Sequence, residues 1–244
     1  MLYPGHSAED DYPALERRLP GVALPVVHTW EGPTEHDVAA LRALGAEKPL
    51  RAAALRARDH APDAVMWACT SGSFVYGPEG VHTQADWIAD AAGTPASSTS
   101  LALLAALAHL GARRVAVAAS YPAVVTGHLE AVLASAGIEV TAVTHADVPS
   151  GEDAGRLAPD DVVRLVGGVQ RPPGTQAVVV PDTALRTTDL LPRLEAETGL
   201  PVVTANQATA WYGLRLAGWT GTAPDLGTLF GGGGRGPSAA APGG

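Results

Sequence analysis

Short apolar runs alternate along the chain with longer helical stretches, and glycine or proline marks the joins. Such runs are typical of buried strands. The predicted strands are 24–29, 64–68, 95–97, 114–119, 139–143, 177–180 and 201–204. The predicted helices are 35–44, 83–92, 98–110, 123–136, 159–166, 188–198 and 205–216. Strands separated by helices of this length favour βαβ units and a parallel sheet.

The two halves of the chain resemble each other. The apolar run 64–68 followed by Cys69 has a counterpart in 177–180 followed by Pro181 and Asp182, and a Gly-x-Pro sequence comes after each run. We interpret this as an internal duplication, although an α/β chain can show the same order of elements by chance. The predicted fold class is α/β with two pseudo-symmetric lobes, each a mainly parallel sheet flanked by helices.

The duplication also predicts how the chain is divided. The predicted limits are 1–98 plus about 205–222 for the N-terminal lobe, 99–204 for the C-terminal lobe, 223–230 for an extension, and 231–244 for a flexible tail rich in glycine, proline and alanine.

Composition narrows the class of protein. With 244 residues, 46% of them apolar, the chain can bury a substantial core. The net charge is -9 and the 16 Lys and Arg residues are scattered, which argues against a nucleic-acid partner. The longest apolar stretch, 101–110, is much shorter than the roughly 20 residues that cross a bilayer, and the N-terminus does not resemble a signal peptide. We therefore expect neither a membrane partner nor secretion.

Cysteine and histidine usage extends this picture. The single cysteine excludes an intramolecular disulfide and fits a reducing compartment, so a cytoplasmic location is expected. The eight histidines are dispersed without a His-x-x-x-His pair, and we therefore expect no metal.

The candidate nucleophile is Cys69, which directly follows the predicted strand 64–68. Ligands collect beyond the carboxyl ends of strands in parallel sheets. The N–H groups of Thr70, Ser71 and Gly72 are expected to stabilise a Cys69 thiolate and to form a nest for a substrate carboxylate. The alternative is a buried, inert cysteine that packs as a small apolar residue.

Asp182 stands at the corresponding position of the second half. A pseudo-twofold axis would place it opposite Cys69 across one cleft, where burial disfavours its charged form and it could act as an acid or a base. The alternative is that Asp182 caps a helix that follows it.

Several motifs together resemble the maleate cis–trans isomerase and arylmalonate decarboxylase branch of the aspartate/glutamate racemase superfamily. The match runs from about Pro4 to Leu216, and 224–230 looks like the decarboxylase terminus. The matching segments are 68–74 (Ala-Cys-Thr-Ser-Gly-Ser-Phe), 96–100, 110–117, 120–122, 183–187 and 201–208 (Pro-Val-Val-Thr-Ala-Asn-Gln-Ala).

The resemblance implies a two-lobed α/β fold, no metal or organic cofactor, and a small carboxylate as substrate. In isomerase relatives a first-lobe cysteine adds to the substrate double bond, and Cys69 matches that position. Decarboxylase relatives keep only the second-lobe cysteine, which protonates the carbanion left after carbon dioxide departs. Here Asp182 replaces that second cysteine, which argues against racemisation by two thiols.

The resemblance also implies substrate contacts. It carries substrate binding onto Tyr121, Thr183 and Asn206. The alternatives are a packing role for Tyr121 and capping of a helix start for Asn206. The loop that holds a substrate carboxylate in relatives reads Gly-His-Ser here, so that His6 and Ser7 are candidates. His6 could bind an anion or transfer a proton near neutral pH, and the alternative is a surface histidine.

Three functional hypotheses remain open at this point. The leading one is a cofactor-independent isomerase of a small unsaturated or α-acidic carboxylate, with Cys69 as nucleophile or acid/base and Asp182 as its partner. The second is an arylmalonate-type decarboxylase or another carbon-acid proton-transfer enzyme. The third is a non-catalytic carboxylate-binding protein. Relatives often associate, so a homo-oligomer is also considered.

Overall fold

The computed structural model describes residues 1–232 and contains two four-stranded parallel sheets. The first sheet has the order β2-β1-β3-β4 and the second the order β6-β5-β7-β8. The strands are β1 (Leu2–Pro4), β2 (Val27–Trp30), β3 (Val65–Trp67), β4 (Ala96–Ser98), β5 (Arg114–Ala119), β6 (Glu139–His145), β7 (Ala177–Val180) and β8 (Val202–Thr204).

Helices flank both sheets. They are α1 (Asp11–Glu16), α2 (Val38–Leu44), α3 (Glu47–Ala57), α4 (Ser71–Phe74), α5 (Gly77–Ala92), α6 (Thr99–Leu110), α7 (Ala123–Ser135), α8 (Gly151–Ala154), α9 (Pro159–Gly168), α10 (Leu191–Thr198) and α11 (Ala205–Leu216). Single 3-10 turns occur at Arg58–His60, Thr188–Leu190, Pro224–Leu226 and Thr228–Phe230. No helix in the described range is long and apolar enough to span a membrane.

The identical order of the two sheets confirms the predicted pseudo-symmetry. In each sheet the first and third strands along the chain occupy the centre, and every residue of β3 and β7 is buried. Valine and other apolar residues fill these central strands because helices cover both faces of a parallel sheet. β3 and β7 are therefore equivalent, and so are the positions just beyond them.

Some elements differ from the sequence-based prediction. β1 was not predicted as a strand because only three residues form it, and α3 was not predicted as a helix, although the Pro49 within it lies in the first turn, where proline is tolerated. The predicted helix 35–44 begins only at Val38, because the Asp37 carboxylate caps it by accepting the N–H groups of Ala39 and Ala40. Residues 35 and 36 pair instead with a segment after β6.

The chain returns to the first sheet after β8. α11 packs against α6 and also contacts β3 and β4. The two 3-10 turns that follow bury Leu226 and Phe230, and the Gln207 side chain of α11 donates a hydrogen bond to the Leu226 carbonyl at 2.7 Å. The predicted lobe limits stay a prediction, and residues 233–244 of the predicted tail lie outside the described residues.

Candidate active site

The carboxyl ends of the central strands of both sheets meet at a cavity, where the space between protein atoms, open solvent included, is about 330 Å³. Cys69 lies two residues beyond β3 and Asp182 two residues beyond β7, so the two candidate residues face one cavity. The lining residues are Tyr3, Pro4, Ser7, Thr34, His36, Leu41, Leu44, Cys69, Ser71, Gly151, Asp182, Thr183 and Ala184.

The Cys69 thiol is almost fully enclosed, with 3% of the residue exposed. The Gly72 N–H donates a hydrogen bond to Sγ at 3.3 Å, and the Ser71 hydroxyl oxygen lies 3.9 Å from Sγ. Burial raises the pKa of the thiol to about 12, and the negative charge of Asp182 acts in the same direction, against the hydrogen bonds from Gly72 and Ser71. The resting form at neutral pH is therefore a protonated thiol, whereas the sequence predicted a stabilised thiolate.

The raised pKa of Cys69 predicts a loss of stability in alkali. Between about pH 9 and pH 12 the thiol ionises in the unfolded chain but holds its proton in the folded one, so the unfolded state binds fewer protons and the unfolding free energy falls as pH rises. We expect Cys69→Ala to remove up to about 1.4 kcal/mol of this loss per pH unit. Urea unfolding of both proteins at pH 8, 9 and 10 measures the difference, and parallel curves would contradict the shift.

Gly72 allows the loop to approach the thiol. A Cβ at this position would lie 2.7 Å from Leu44 Cδ2 and 3.1 Å from Cys69 Sγ. We expect Gly72→Ala to displace the thiol, to cost about 1–3 kcal/mol of stability and to lower any turnover at least about tenfold. Gly127→Ala in α7 is the matched control, because a Cβ there meets no atom within 4 Å. Equal thermal stability and activity of the two variants would contradict the prediction.

Asp182 is fixed as a hydrogen-bond acceptor. The Ser120 hydroxyl donates to its Oδ2 at 2.5 Å, and the Ala184 N–H donates to its Oδ1 at 2.9 Å. The residue is only 3% exposed. The next helical turn in the chain is the 3-10 turn at Thr188–Leu190, so the interpretation of Asp182 as a helix cap is wrong. Its Oδ1 closes a local turn by accepting the Ala184 N–H, and the residue lines the cavity.

His36 also lines the cavity and was not predicted from the sequence. Its Nε2 lies 4.0 Å from Asp182 Oδ2, and its Nδ1 lies 2.7 Å from the Val148 carbonyl oxygen. The side chain is 3% exposed. The sequence places His36 within a predicted helix, and only the pairing of 34–36 with 148–151 brings it to the site.

The other predicted binding residues fall into two groups. Ser7, Ser71 and Thr183 line the cavity, and the Ser7 hydroxyl is hydrogen-bonded to the Tyr3 hydroxyl at 2.7 Å. Thr70 and Gly72 flank Ser71 in the chain, but neither is among the residues that line the cavity in the described structure. Their backbone shapes the loop around Cys69, and direct substrate contact by any of these residues stays a prediction.

Tyr121 and Asn206 are fully buried and engaged with protein groups. The Tyr121 hydroxyl donates to the Pro181 carbonyl at 3.3 Å, and burial raises its pKa well above the ordinary value. Asn206 Oδ1 accepts from Tyr12, and its Nδ2 donates to Asp11 Oδ2 and to the Thr183 carbonyl, both at 3.0 Å. Asn206 therefore positions the Asp182–Thr183 segment, and its predicted substrate contact would require these bonds to open.

Asp11 completes this link between the halves of the chain. Its carboxylate accepts N–H groups from Thr187 and Thr188 as well as the Asn206 amide. We expect Asp11→Ala to destabilise the protein by about 3 kcal/mol, because it leaves buried donors unpaired. Asp10→Ala removes an exposed carboxylate paired with Arg186 and should cost under about 1 kcal/mol. Chemical denaturation compares the two variants, and similar losses would contradict the assignment.

His6 lies on the surface, outside the cavity. Its side chain is 71% exposed, and its Nδ1 lies 3.0 Å from Glu9 Oε1. His6, Glu9 and His28 of β2 form a cluster. One potential metal-ligand atom of each residue lies within 4.8 Å of those of the other two. Sequence spacing could not reveal this cluster because His28 comes from another element. It is the part of the described structure where side chains could hold a cation.

Comparison with known proteins finds an arylmalonate decarboxylase and maleate isomerases similar to this chain. The sequence profile of arylmalonate decarboxylase matches residues 46–230. Arylmalonate decarboxylase of Bordetella bronchiseptica is 33% identical over 143 residues, which cover 58% of this chain and 60% of the decarboxylase. Maleate isomerase of Geobacillus stearothermophilus is 23% identical over 185 residues, which cover 73% of each protein.

A solved structure shows the same fold. A mutant maleate cis–trans isomerase of Nocardia farcinica with a covalently bound succinylcysteine intermediate superposes with a TM-score of 0.84 and 24% identity, over 94% of this chain and 96% of that chain. The resemblance inferred from the motifs is confirmed, since both types of relative are found. Because the profile covers most of the sequence, the chain belongs to the arylmalonate decarboxylase family.

Proposed function

We propose that the protein is a cofactor-independent enzyme that acts on a small carboxylate, with the Cys69 thiol as the reacting group and Asp182 as its partner. The observation that carries this proposal is the convergence of both side chains on one cavity at the carboxyl ends of β3 and β7. The family of the chain supports it, because the relatives are an arylmalonate decarboxylase and a maleate isomerase.

The protonation state of Cys69 favours proton transfer to carbon. A thiol with a pKa of about 12 keeps its proton at neutral pH and can act as an acid. In a malonate-type acid the bond to one carboxyl carbon breaks, carbon dioxide leaves, and the electron pair stays on the α carbon and spreads into the remaining carboxylate. The S–H bond of Cys69 then breaks, its proton forms the new C–H bond, and a thiolate remains.

Isomerisation is the second candidate, favoured by the hydrogen bond from Gly72 N–H to Sγ, which stabilises a thiolate. The thiolate would add to a double bond, rotation about the resulting single bond would follow, and elimination would release the isomer and restore the thiolate. The Nocardia farcinica isomerase carries a cysteine adduct of this type.

Two substrates distinguish these reactions. We expect phenylmalonate to release carbon dioxide in an isotope-release assay, whereas conversion of maleate to fumarate with a mass increase on Cys69 would identify the isomerase. Binding of both acids without turnover, seen as a thermal shift, would support the non-catalytic carboxylate-binding protein and overturn the enzymatic proposal. A cytoplasmic location and a homo-oligomer stay predictions.

A further inference from the structure

His36 is held in one orientation by the segment that follows β6. Its backbone N–H donates to the Pro149 carbonyl at 2.7 Å, and its Nδ1 lies 2.7 Å from the Val148 carbonyl oxygen. Because a carbonyl oxygen only accepts, Nδ1 carries the hydrogen and Nε2 of the neutral ring keeps its lone pair. The ring also packs edge-on against Tyr121, with 4.8 Å between centroids.

The free nitrogen of this ring faces the candidate active site. Nε2 lies 4.0 Å from Asp182 Oδ2, which is too far for a hydrogen bond, and that oxygen accepts the Ser120 hydroxyl. Within residues 1–232, the hydrogen bonds of the His36 ring involve Nδ1 alone. The lone pair of Nε2 is thus available for a proton, and the carboxylate beside it would stabilise the resulting imidazolium.

An anionic substrate in this cavity requires a side chain that can carry a positive charge. Among the described residues that line it, His36 is the only side chain that can become positively charged, whereas Asp182 is negative when ionised. A substrate carboxylate entering this small space is repelled by Asp182 unless a proton on His36 offsets the charge. Of the titratable groups nearby, Tyr121 packs against the ring and Asp182 lies beside Nε2, and Tyr3 and Cys69 line the same cavity. The chain neighbours Glu35 and Asp37 are exposed.

We propose that His36 is the proton-exchange partner of Cys69, an inference that rests on the proposed function above. After Cys69 protonates the α carbon, the Nε2–H bond of the imidazolium breaks, its proton passes to the thiolate sulfur, and the electron pair stays on Nε2. Water then supplies the next proton to Nε2, which accounts for the one proton that decarboxylation of a malonate consumes. In the addition reaction the S–H proton passes to Nε2 before the S–C bond forms and returns after it breaks.

Alkylation of the single cysteine tests this exchange without a substrate. The rate of iodoacetamide modification of Cys69 is measured from pH 5 to pH 10 in the wild type, in His36→Asn and in His60→Asn, which changes an exposed histidine. We expect the wild type and His60→Asn to share one profile, in which a step due to protonation of His36 precedes the alkaline rise. His36→Asn should keep only the alkaline rise and react at least about tenfold more slowly at pH 7.

A second measurement uses turnover of whichever acid the enzyme accepts. We expect His36→Asn to lower kcat by about 10²-fold with a smaller change in KM, and added imidazole to restore part of the rate. A merely structural role of His36 would give neither imidazole rescue nor a changed alkylation profile.

The outcomes separate this inference from the proposed function. An unchanged alkylation profile in His36→Asn overturns the inference even if the enzyme is active. Loss of the His36-dependent step in a protein without turnover supports the inference and removes the enzymatic proposal. If His36→Asn does not fold, NMR titration of the His36 ring in the wild type and in Cys69→Ala provides the test. If the titration midpoint of the His36 ring is the same in the wild type and in Cys69→Ala, the proposed proton exchange is overturned. Different midpoints would support it.

Discussion

Cys69→Ala is expected to lower turnover of the accepted acid by at least about 10³-fold, because no other thiol is present in the chain to donate a proton or to attack. The substitution removes one sulfur from a buried site, so folding should be retained with a change of about 1–2 kcal/mol at neutral pH. Steady-state kinetics with phenylmalonate and maleate measure the first effect, and thermal denaturation measures the second.

Ser73→Ala is the matched control for this change. Ser73 is buried in α4, the short helix that follows Cys69, and its hydroxyl donates to Ser98 Oγ at 3.2 Å. It is not among the residues that line the cavity in the described range. We expect it to keep turnover within about tenfold of the wild type, because it lies outside the reacting groups. Full activity of Cys69→Ala would disprove the role assigned to the thiol.

Asp182→Asn should produce a different kinetic pattern. Removing the negative charge beside the cavity weakens repulsion of an anionic substrate, so KM should fall, while loss of the partner of the reacting groups should lower kcat by about 10²–10⁴-fold. The amide has nearly the shape of the carboxylate, and its oxygen can still accept the Ser120 hydroxyl.

The control for this charge change is Asp189→Asn. Asp189 lies in the 3-10 turn at Thr188–Leu190, and its exposed carboxylate pairs with Arg18. Its kinetic constants should match those of the wild type, since screening by solvent weakens surface charges. If Asp182→Asn raised KM and left kcat unchanged, Asp182 would only help to bind the substrate.

The sequence was sufficient to bring Cys69 and Asp182 together. Each follows a buried apolar strand, and the repeated pattern places these strands at equivalent positions of two sheets, so their carboxyl ends share one cleft. This inference needed only local patterns and one symmetry argument. The limits of the lobes, with 205–222 assigned to the first lobe, stay a prediction.

Contacts between distant segments explain what the sequence could not predict. His36 reaches the cavity only because 34–36 pair with 148–151, and nothing in either segment specifies that pairing locally. Asn206 was assigned to the substrate by resemblance, yet its amide is occupied by Asp11, Tyr12 and Thr183. The protonated state of Cys69 likewise depends on how completely the folded chain removes water from it, which sequence patterns do not report.

The equal strand order of the two sheets has a consequence for the chirality of the product. In the proposed decarboxylation, a planar carbanion between the two side chains would present one face to Cys69, beyond the end of β3, and the opposite face to Asp182, beyond the end of β7. A sulfur located after β3 delivers hydrogen to one face, and a sulfur located after β7 would deliver it to the other. The enantiomer formed from a prochiral malonate is therefore set by which sheet carries the sulfur, and this chain should yield the mirror image of the acid made by a relative with its cysteine after β7.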